Sequence, residues 1–254
     1  MELDNIILLA IIQGITEWLP VSSSGHLALA QEFFHIKASV LFDLSLHIGS
    51  LVALLVFLRN DIQRLVRALF GKEKEGQKLL FFIFLATLFT ALIVFPLKSY
   101  FLSFFKNTLA IGIALFITGI LLFITKFIKE ENKNIGLKDS IIIGIAQGIA
   151  FIPGISRSGS TISAALFRGI NKEEAVKFSF LLFIPAVLGA FLLQLKETGP
   201  LEEVNSLLLG MILSFIVSYL SIHLLLKIIR KHKFHYFAYY CFAIGIITIL
   251  LSLR

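Results

Sequence analysis

Apolar residues in this chain come in long unbroken runs rather than in alternation. The runs near 40–58, 79–97, 107–125, 178–195, 206–226 and 236–253 each have about the length that crosses ~30 Å of hydrocarbon as a helix. Lipid offers no water to satisfy stray backbone groups, so a continuous apolar run is expected to be helical. Six full spans follow. Two further apolar stretches, 6–18 and 140–152, are thirteen residues each and too short to cross alone. Each stops at a proline, Pro20 or Pro153, with a serine-rich turn beyond it. Together with 27–34 and 162–167 on the far side of the turns, they read as two hairpins that dip into the bilayer and return. Broken backbone at that depth is tolerable only where protein or a wet cavity surrounds it.

The two hairpins are related. Segment 13–25 returns as 147–159, and at this offset of 134 six of thirteen positions are identical: Gln13/Gln147, Gly14/Gly148, Ile15/Ile149, Ser22/Ser156, Ser24/Ser158 and Gly25/Gly159. About one match is expected by chance, so an internal repeat of broken helices is indicated. Charge orients it. With the N-terminus outside and both hairpins returning, loops 59–78, 126–138, 168–177 and 227–235 lie inside and hold seventeen of the 23 lysines and arginines. Lys37, Lys98, Lys106, Lys196 and Arg254 fall outside, and Arg157 falls in the second hairpin. The first hairpin then enters from outside and the second from inside, which inverts the halves 1–125 and 126–254 relative to each other. The expected fold is one all-α integral membrane domain, 1–254, with six transmembrane helices, two re-entrant helix hairpins in an inverted-topology repeat, and both termini outside.

Composition agrees. The chain is 57% hydrophobic and 15% charged, with a mean hydropathy of +0.92, which leaves no room for a soluble domain. The net charge of +7 is accounted for by orientation and by anionic lipid, so no nucleic-acid partner is called for. The start, Met-Glu-Leu-Asp, lacks the features of a signal peptide and reads as mature sequence. The single cysteine, Cys241, excludes an intramolecular disulfide, and with no CxxC or His/Cys spacing a structural zinc is dropped.

In inverted membrane repeats the half-helices meet near the midplane and aim their positive ends at a bound anion. Ser22, Ser23, Ser24 and Gly25 open the second half-helix of the first hairpin, and Ser156, Ser158 and Gly159 open that of the second. A lone serine there is an ordinary N-cap. Clusters at matching places, with Arg157 among them, make a phosphate-sized cradle. An arginine at this depth costs several kcal/mol without an anion. Its partner is either Glu17, the only acid in either hairpin core, or a phosphate gripped in bidentate fashion, and the two can alternate. Glu17 follows Gln13 by four residues and shares its helix face. It reads as a partnered core acid, as a general base, or, with Gln13 and substrate phosphates, as a ligand for Mg²⁺ or Ca²⁺. His26 is a proton donor or acceptor near neutral pH, or an interhelical contact. Asp43 and His47 read as structural, His35, His223, His232 and His235 as interfacial, and Trp18 as a cavity wall or a packing anchor. At the repeat offset Phe151 stands for Glu17, and Arg157 for Ser23.

The segments Q-G-I-T-E-W-L-P-V-S-S-S-G-H-L and P-G-I-S-R-S-G-S-T resemble the two signature segments of the undecaprenyl-diphosphate phosphatases, also called bacitracin-resistance proteins. The resemblance extends over essentially the whole chain. It implies an enzyme of the bacterial cytoplasmic membrane that removes the terminal phosphate of a polyprenyl diphosphate and so regenerates the lipid carrier of cell-wall synthesis. By position it implies functional roles for Glu17, Ser23, His26, Ser156, Arg157 and Thr161, and a cavity open to the outer side. Gln13 departs from members with two glutamates, which shifts weight to Glu17. Two chemistries stay open: attack by Ser23 with Glu17 or His26 taking its proton, or attack by water with Ser23 orienting phosphate. An anion or lipid-phosphate transporter is the rival class, since alternating access uses the same architecture. Homo-oligomer formation is left open.

Overall fold

The structure, a computed structural model, describes residues 1–128, 131, 133–194, 204–231 and 233–253. Lys196, His232 and Arg254, named above, lie outside the described residues, as do Lys129 of loop 126–138 and the side chain of Arg230 of loop 227–235. Among the described residues the regular structure is helical, apart from one isolated bridge between Lys133 and Ile170. In chain order the helices are α1 (Leu3–Thr16), α2 (Ser23–Phe33), α3 (Val40–Phe57), α4 (Arg59–Leu69), α5 (Lys74–Phe104), α6 (Thr108–Ile124), α7 (Leu137–Ile149), α8 (Arg157–Phe167), α9 (Lys172–Gln194), α10 (Val204–Arg230) and α11 (Phe237–Ser252).

Among the described residues six helices are long and apolar enough to cross a membrane, and they coincide with the six apolar runs. Each buries less than half of its apolar window. The rest, including Phe84, Leu92 and Phe95 on α5, Ile216 and Leu220 on α10 and Ile246 and Leu250 on α11, is exposed, as a lipid-facing surface requires. The chain is a multi-pass membrane protein.

Lipid gives helices no hydrophobic reason to associate, so close packing at small residues has to hold them together. That is what the interfaces contain. Gly49 of α3 lies against the Met211 carbonyl of α10, and Gly144 of α7 against Ala86 of α5. A Cβ on Gly14 of α1 would fall 2.6 Å from Val217 of α10, and one on Gly148 of α7 would fall 2.9 Å from Ile93 of α5. Between α3 and α10 the hydroxyls of Ser50, Ser214 and Ser218 are linked at 3.1 and 2.8 Å. α11 runs along α6, while α8 and α9 pack in the interior.

Residues 59–78, read from sequence as a loop, are instead mostly helix. α4 buries Leu65 and Ala68 against α5 and turns its charges outward, where Arg64 pairs with Glu73 and Glu75, and Asp61 with Lys177 of α9. The spacing of Leu58, Ile62 and Leu65 carried this amphipathic signal among the arginines. At the other hairpin, buried Asp139 ties the start of α7 in place. It accepts the Gly136 N–H at 3.0 Å and pairs with Lys133 at 2.9 Å and Arg168 at 2.8 Å.

Candidate active site

The site is built at the two breaks, between α1 and α2 and between α7 and α8. α1 ends at Thr16, and Glu17 closes its last turn, its N–H donating to the Gln13 carbonyl at 2.9 Å. The chain turns through Pro20 and reaches Ser22 at φ +69°, a left-handed conformation that costs a non-glycine residue about 1 kcal/mol or more. The Ser22 hydroxyl compensates by accepting two backbone N–H groups, Gly25 at 3.3 Å and Gly154 of the other hairpin at 3.1 Å. Gly154 itself has φ +96°, and a Cβ there would strike the Ile111 carbonyl at 2.5 Å. Only glycine lets the second turn seat itself against α6 and the first hairpin.

The second break is held in a similar way. Ser156 caps α8 by accepting the Gly159 N–H at 3.0 Å, while its own N–H donates to Thr118 of α6 at 3.1 Å. Ser158 donates to the Leu19 carbonyl at 3.2 Å and lies 3.3 Å from Ser156 Oγ. Ser24 Oγ lies 3.4 Å from Ser22 Oγ. Thr161 donates to the Arg157 carbonyl at 2.9 Å and meets the Ser179 hydroxyl at 2.6 Å. Ser22 and Ser156 are therefore N-caps, and the glycines and serines around them form the joint between the hairpins.

What this joint presents is a buried cluster around Glu17. One carboxylate oxygen accepts from Arg157 Nη2 at 2.7 Å. The other accepts from Ser23 Oγ at 2.7 Å and Gln13 Nε2 at 2.9 Å, with His47 Nε2 at 3.4 Å. Arg157 also donates to the Ser179 carbonyl at 3.2 Å and lies over the Phe183 ring, 4.4 Å from its centroid. The acid comes from one hairpin and the cation from the other, and neither is left unpaired in the interior. Trp18 lies fully buried, edge-on to Phe180 and Phe183, which makes it a packing anchor beneath the cluster.

Gln13, Glu17, Ser23 and Arg157 are thus brought into direct contact. His26 is turned another way: its Nδ1 lies 2.8 Å from the Ser22 carbonyl and its Nε2 2.8 Å from the Tyr240 hydroxyl of α11. Of the two bases considered for Ser23, the one hydrogen-bonded to it is Glu17. His47 was read as structural, yet it faces the carboxylate, because its Nδ1 is anchored on the Asp43 carbonyl at 2.9 Å one helical turn back. Asp43, by contrast, takes Gln31 Nε2 at 2.9 and 3.0 Å and stands apart from the cluster. Ser179, Phe183 and Tyr240 were not singled out, since nothing in their local sequence marks them.

For a divalent cation, the cluster offers the side-chain oxygens of Gln13 and Glu17, with the Ser23 hydroxyl beside them. Gln13 Oε1 is buried without a hydrogen-bond partner, the kind of hard oxygen that Mg²⁺ or Ca²⁺ takes. Among the described residues no group of three or more His, Cys, Asp or Glu side chains could hold a metal. The donor set fits a cation whose remaining ligands come from phosphate oxygens. Chemically, the cluster can take a proton from Ser23 onto Glu17 and can hold a dianionic group against Arg157.

A family model described as bacitracin resistance protein BacA matches residues 6–247. Similar proteins include the undecaprenyl-diphosphatase of Methanobrevibacter smithii, 40% identical over 273 residues that cover 100% of this chain and 99% of that one. That of Syntrophotalea carbinolica is 41% identical over 255 residues, covering 96% and 97%. That of Carboxydothermus hydrogenoformans is 41% identical over 259 residues, covering 97% and 96%.

Proposed function

The chain belongs to the bacitracin resistance protein BacA family, and from that premise we propose that it is a membrane undecaprenyl-diphosphatase. It hydrolyses the terminal phosphate from the prenyl diphosphate, and the joint of the two hairpins is its active site. The observation that carries this reading is the contact of Ser23, Glu17 and Arg157 in one buried cluster. Ser23 Oγ attacks the terminal phosphorus while its proton passes to Glu17. The anhydride P–O bond breaks, and the prenyl monophosphate leaves with the bonding electron pair. Water then opens the phosphoserine and releases inorganic phosphate. Arg157 shifts from Glu17 toward the phosphate, and the α2 and α8 N-termini face the charge that moves between the oxygens. The shift frees the carboxylate to act as a base. A divalent cation entering with the diphosphate would be held by Gln13 and Glu17 and would neutralise phosphate charge.

The Ser23 to Glu17 hydrogen bond favours the serine as nucleophile over direct attack by water. A transporter has no use for that pair, and the relatives named above are undecaprenyl-diphosphatases. Purified protein in detergent is expected to release inorganic phosphate from undecaprenyl diphosphate, and its absence at every pH and divalent ion tried would overturn the reading. Labelled phosphate trapped on the chain after brief reaction, and lost in Ser23→Ala, supports the serine nucleophile. Full turnover by Ser23→Ala excludes it.

The finer architecture belongs to the same proposal. α1/α2 and α7/α8 are re-entrant hairpins of an inverted repeat, with both termini outside and the site opening outward. Gly14 seated on α10 and Gly148 seated on α5, at the same repeat offset, support it. In intact cells an impermeant thiol reagent is expected to label Ser23→Cys in a Cys241→Ala background. Labelling only after permeabilisation would reverse the orientation.

A further inference from the structure

His26 is pinned at both ring nitrogens. A carbonyl can only accept, so the 2.8 Å contact of Nδ1 with the Ser22 carbonyl places a hydrogen on Nδ1. In the neutral ring Nε2 then carries the lone pair, and the Tyr240 hydroxyl, 2.8 Å away, donates into it. The two rings lie nearly parallel, 12° apart with centroids 5.6 Å from one another. Both anchors belong to the hairpin joint. Ser22 is the strained residue whose hydroxyl holds Gly154, and the residue after Tyr240, Cys241, lies 3.8 Å from the Pro20 carbonyl of the same turn.

α11 reaches this position because of its packing on α6. A Cβ on Gly119 of α6 would fall 2.6 Å from the Phe242 ring, and one on Gly245 of α11 would fall 2.9 Å from the Phe116 nitrogen. Larger residues at either place would lift α11, and Tyr240 with it, away from the turn. Leu29 of α2 packs with Ile111 and Leu115 of α6 and with Ile244 of α11, so the helix bearing His26 and the helix bearing Tyr240 share one apolar contact.

We infer that Tyr240 is a positioning residue: with the Ser22 carbonyl it holds His26 in a single tautomer and orientation, so that Nε2 is the nitrogen that gains and loses a proton, a role for His26 in addition to the Ser23-to-Glu17 transfer. The inference rests on the phosphatase reading of the joint. Tyr240→Phe keeps the stacked ring and removes only the donor. In the phosphate-release assay it is expected to lower kcat about tenfold, with KM within about twofold and the melting temperature unchanged. In a His26→Gln background the same substitution is expected to add no further loss. An unchanged kcat in Tyr240→Phe, or an equal loss in the His26→Gln background, overturns the inference, as does a loss confined to KM or melting temperature. Glu17→Ala measured alongside keeps the two readings apart. If Glu17→Ala retains the full rate, the phosphatase site is wrong; if it loses the rate while Tyr240→Phe is silent, only the role of Tyr240 falls.

Discussion

The two hairpins share a backbone plan and divide the chemistry. Both break at a proline, both restart at a serine N-cap, and both seat a glycine, Gly14 or Gly148, on a long helix. Where the first carries Glu17, Ser23 and His26, the second carries Phe151, Arg157 and Ser160 at the same offset. Two equal hairpins would bring like charges together at the joint. Unequal ones make a buried acid and a buried cation that satisfy each other and flank one serine. Matched positions build the scaffold, while the acid, the cation and the serine of the cluster stand at mismatched ones, with Gln13 the one matched residue among them.

The largest test of that division is to remove its charges. Glu17→Ala and Arg157→Ala are each expected to slow phosphate release about 10³-fold. Each also breaks the buried ion pair and leaves its other member with weaker partners, a destabilisation of up to about 3–5 kcal/mol read by thermal unfolding in detergent. The double variant is expected to be as inactive as either single one yet less destabilised than their sum. Strict additivity in stability would mean that the pair is not coupled across the hairpins.

Next come the matched glycines. Gly14→Val and Gly148→Val each place atoms inside a neighbouring side chain, and each is expected to cost about 1–3 kcal/mol, by similar amounts. Tolerance at one and collapse at the other would break the claim that the two scaffolds are equivalent.

The smallest effect lies at the ends of the hairpins, where Asp139 of the second stands opposite Asn5 of the first. Burial opposes ionisation of Asp139, but donation from Arg168, Lys133 and Gly136 outweighs it and holds the carboxyl below its ordinary value. A carboxyl depressed in the folded state stabilises the protein above its unfolded value of about 3.9, and that contribution is lost as pH falls through the lower folded value. Asp139→Asn is therefore expected to flatten the acid end of the stability profile by less than about 1 kcal/mol, since Lys133 and Arg168 are partly exposed. Asn5→Ala should leave that end unchanged.

Much of this was legible along the chain because lipid imposes simple rules on sequence. A span must be long and apolar, so the six helices could be counted from their runs. Glu17, Ser23 and Arg157 stood out because polar groups beside a broken apolar run carry a cost that calls for partners. α4 was passed over because its arginines masked the spacing of Leu58, Ile62 and Leu65. His47 was named, but its approach to Glu17 was not foreseen, since it depends on how α3 packs beside α1.

The sequence by itself determined the membrane class, the six spans and the differences between the two serine-rich breaks, because each is a local property of spacing or residue type. Only the tertiary structure decided which nitrogen of which residue meets which oxygen. It paired Ser23 with Glu17 and turned His26 to Tyr240, 214 residues away in the chain. Such contacts follow from glycine-sized approaches between distant helices, which no local spacing encodes.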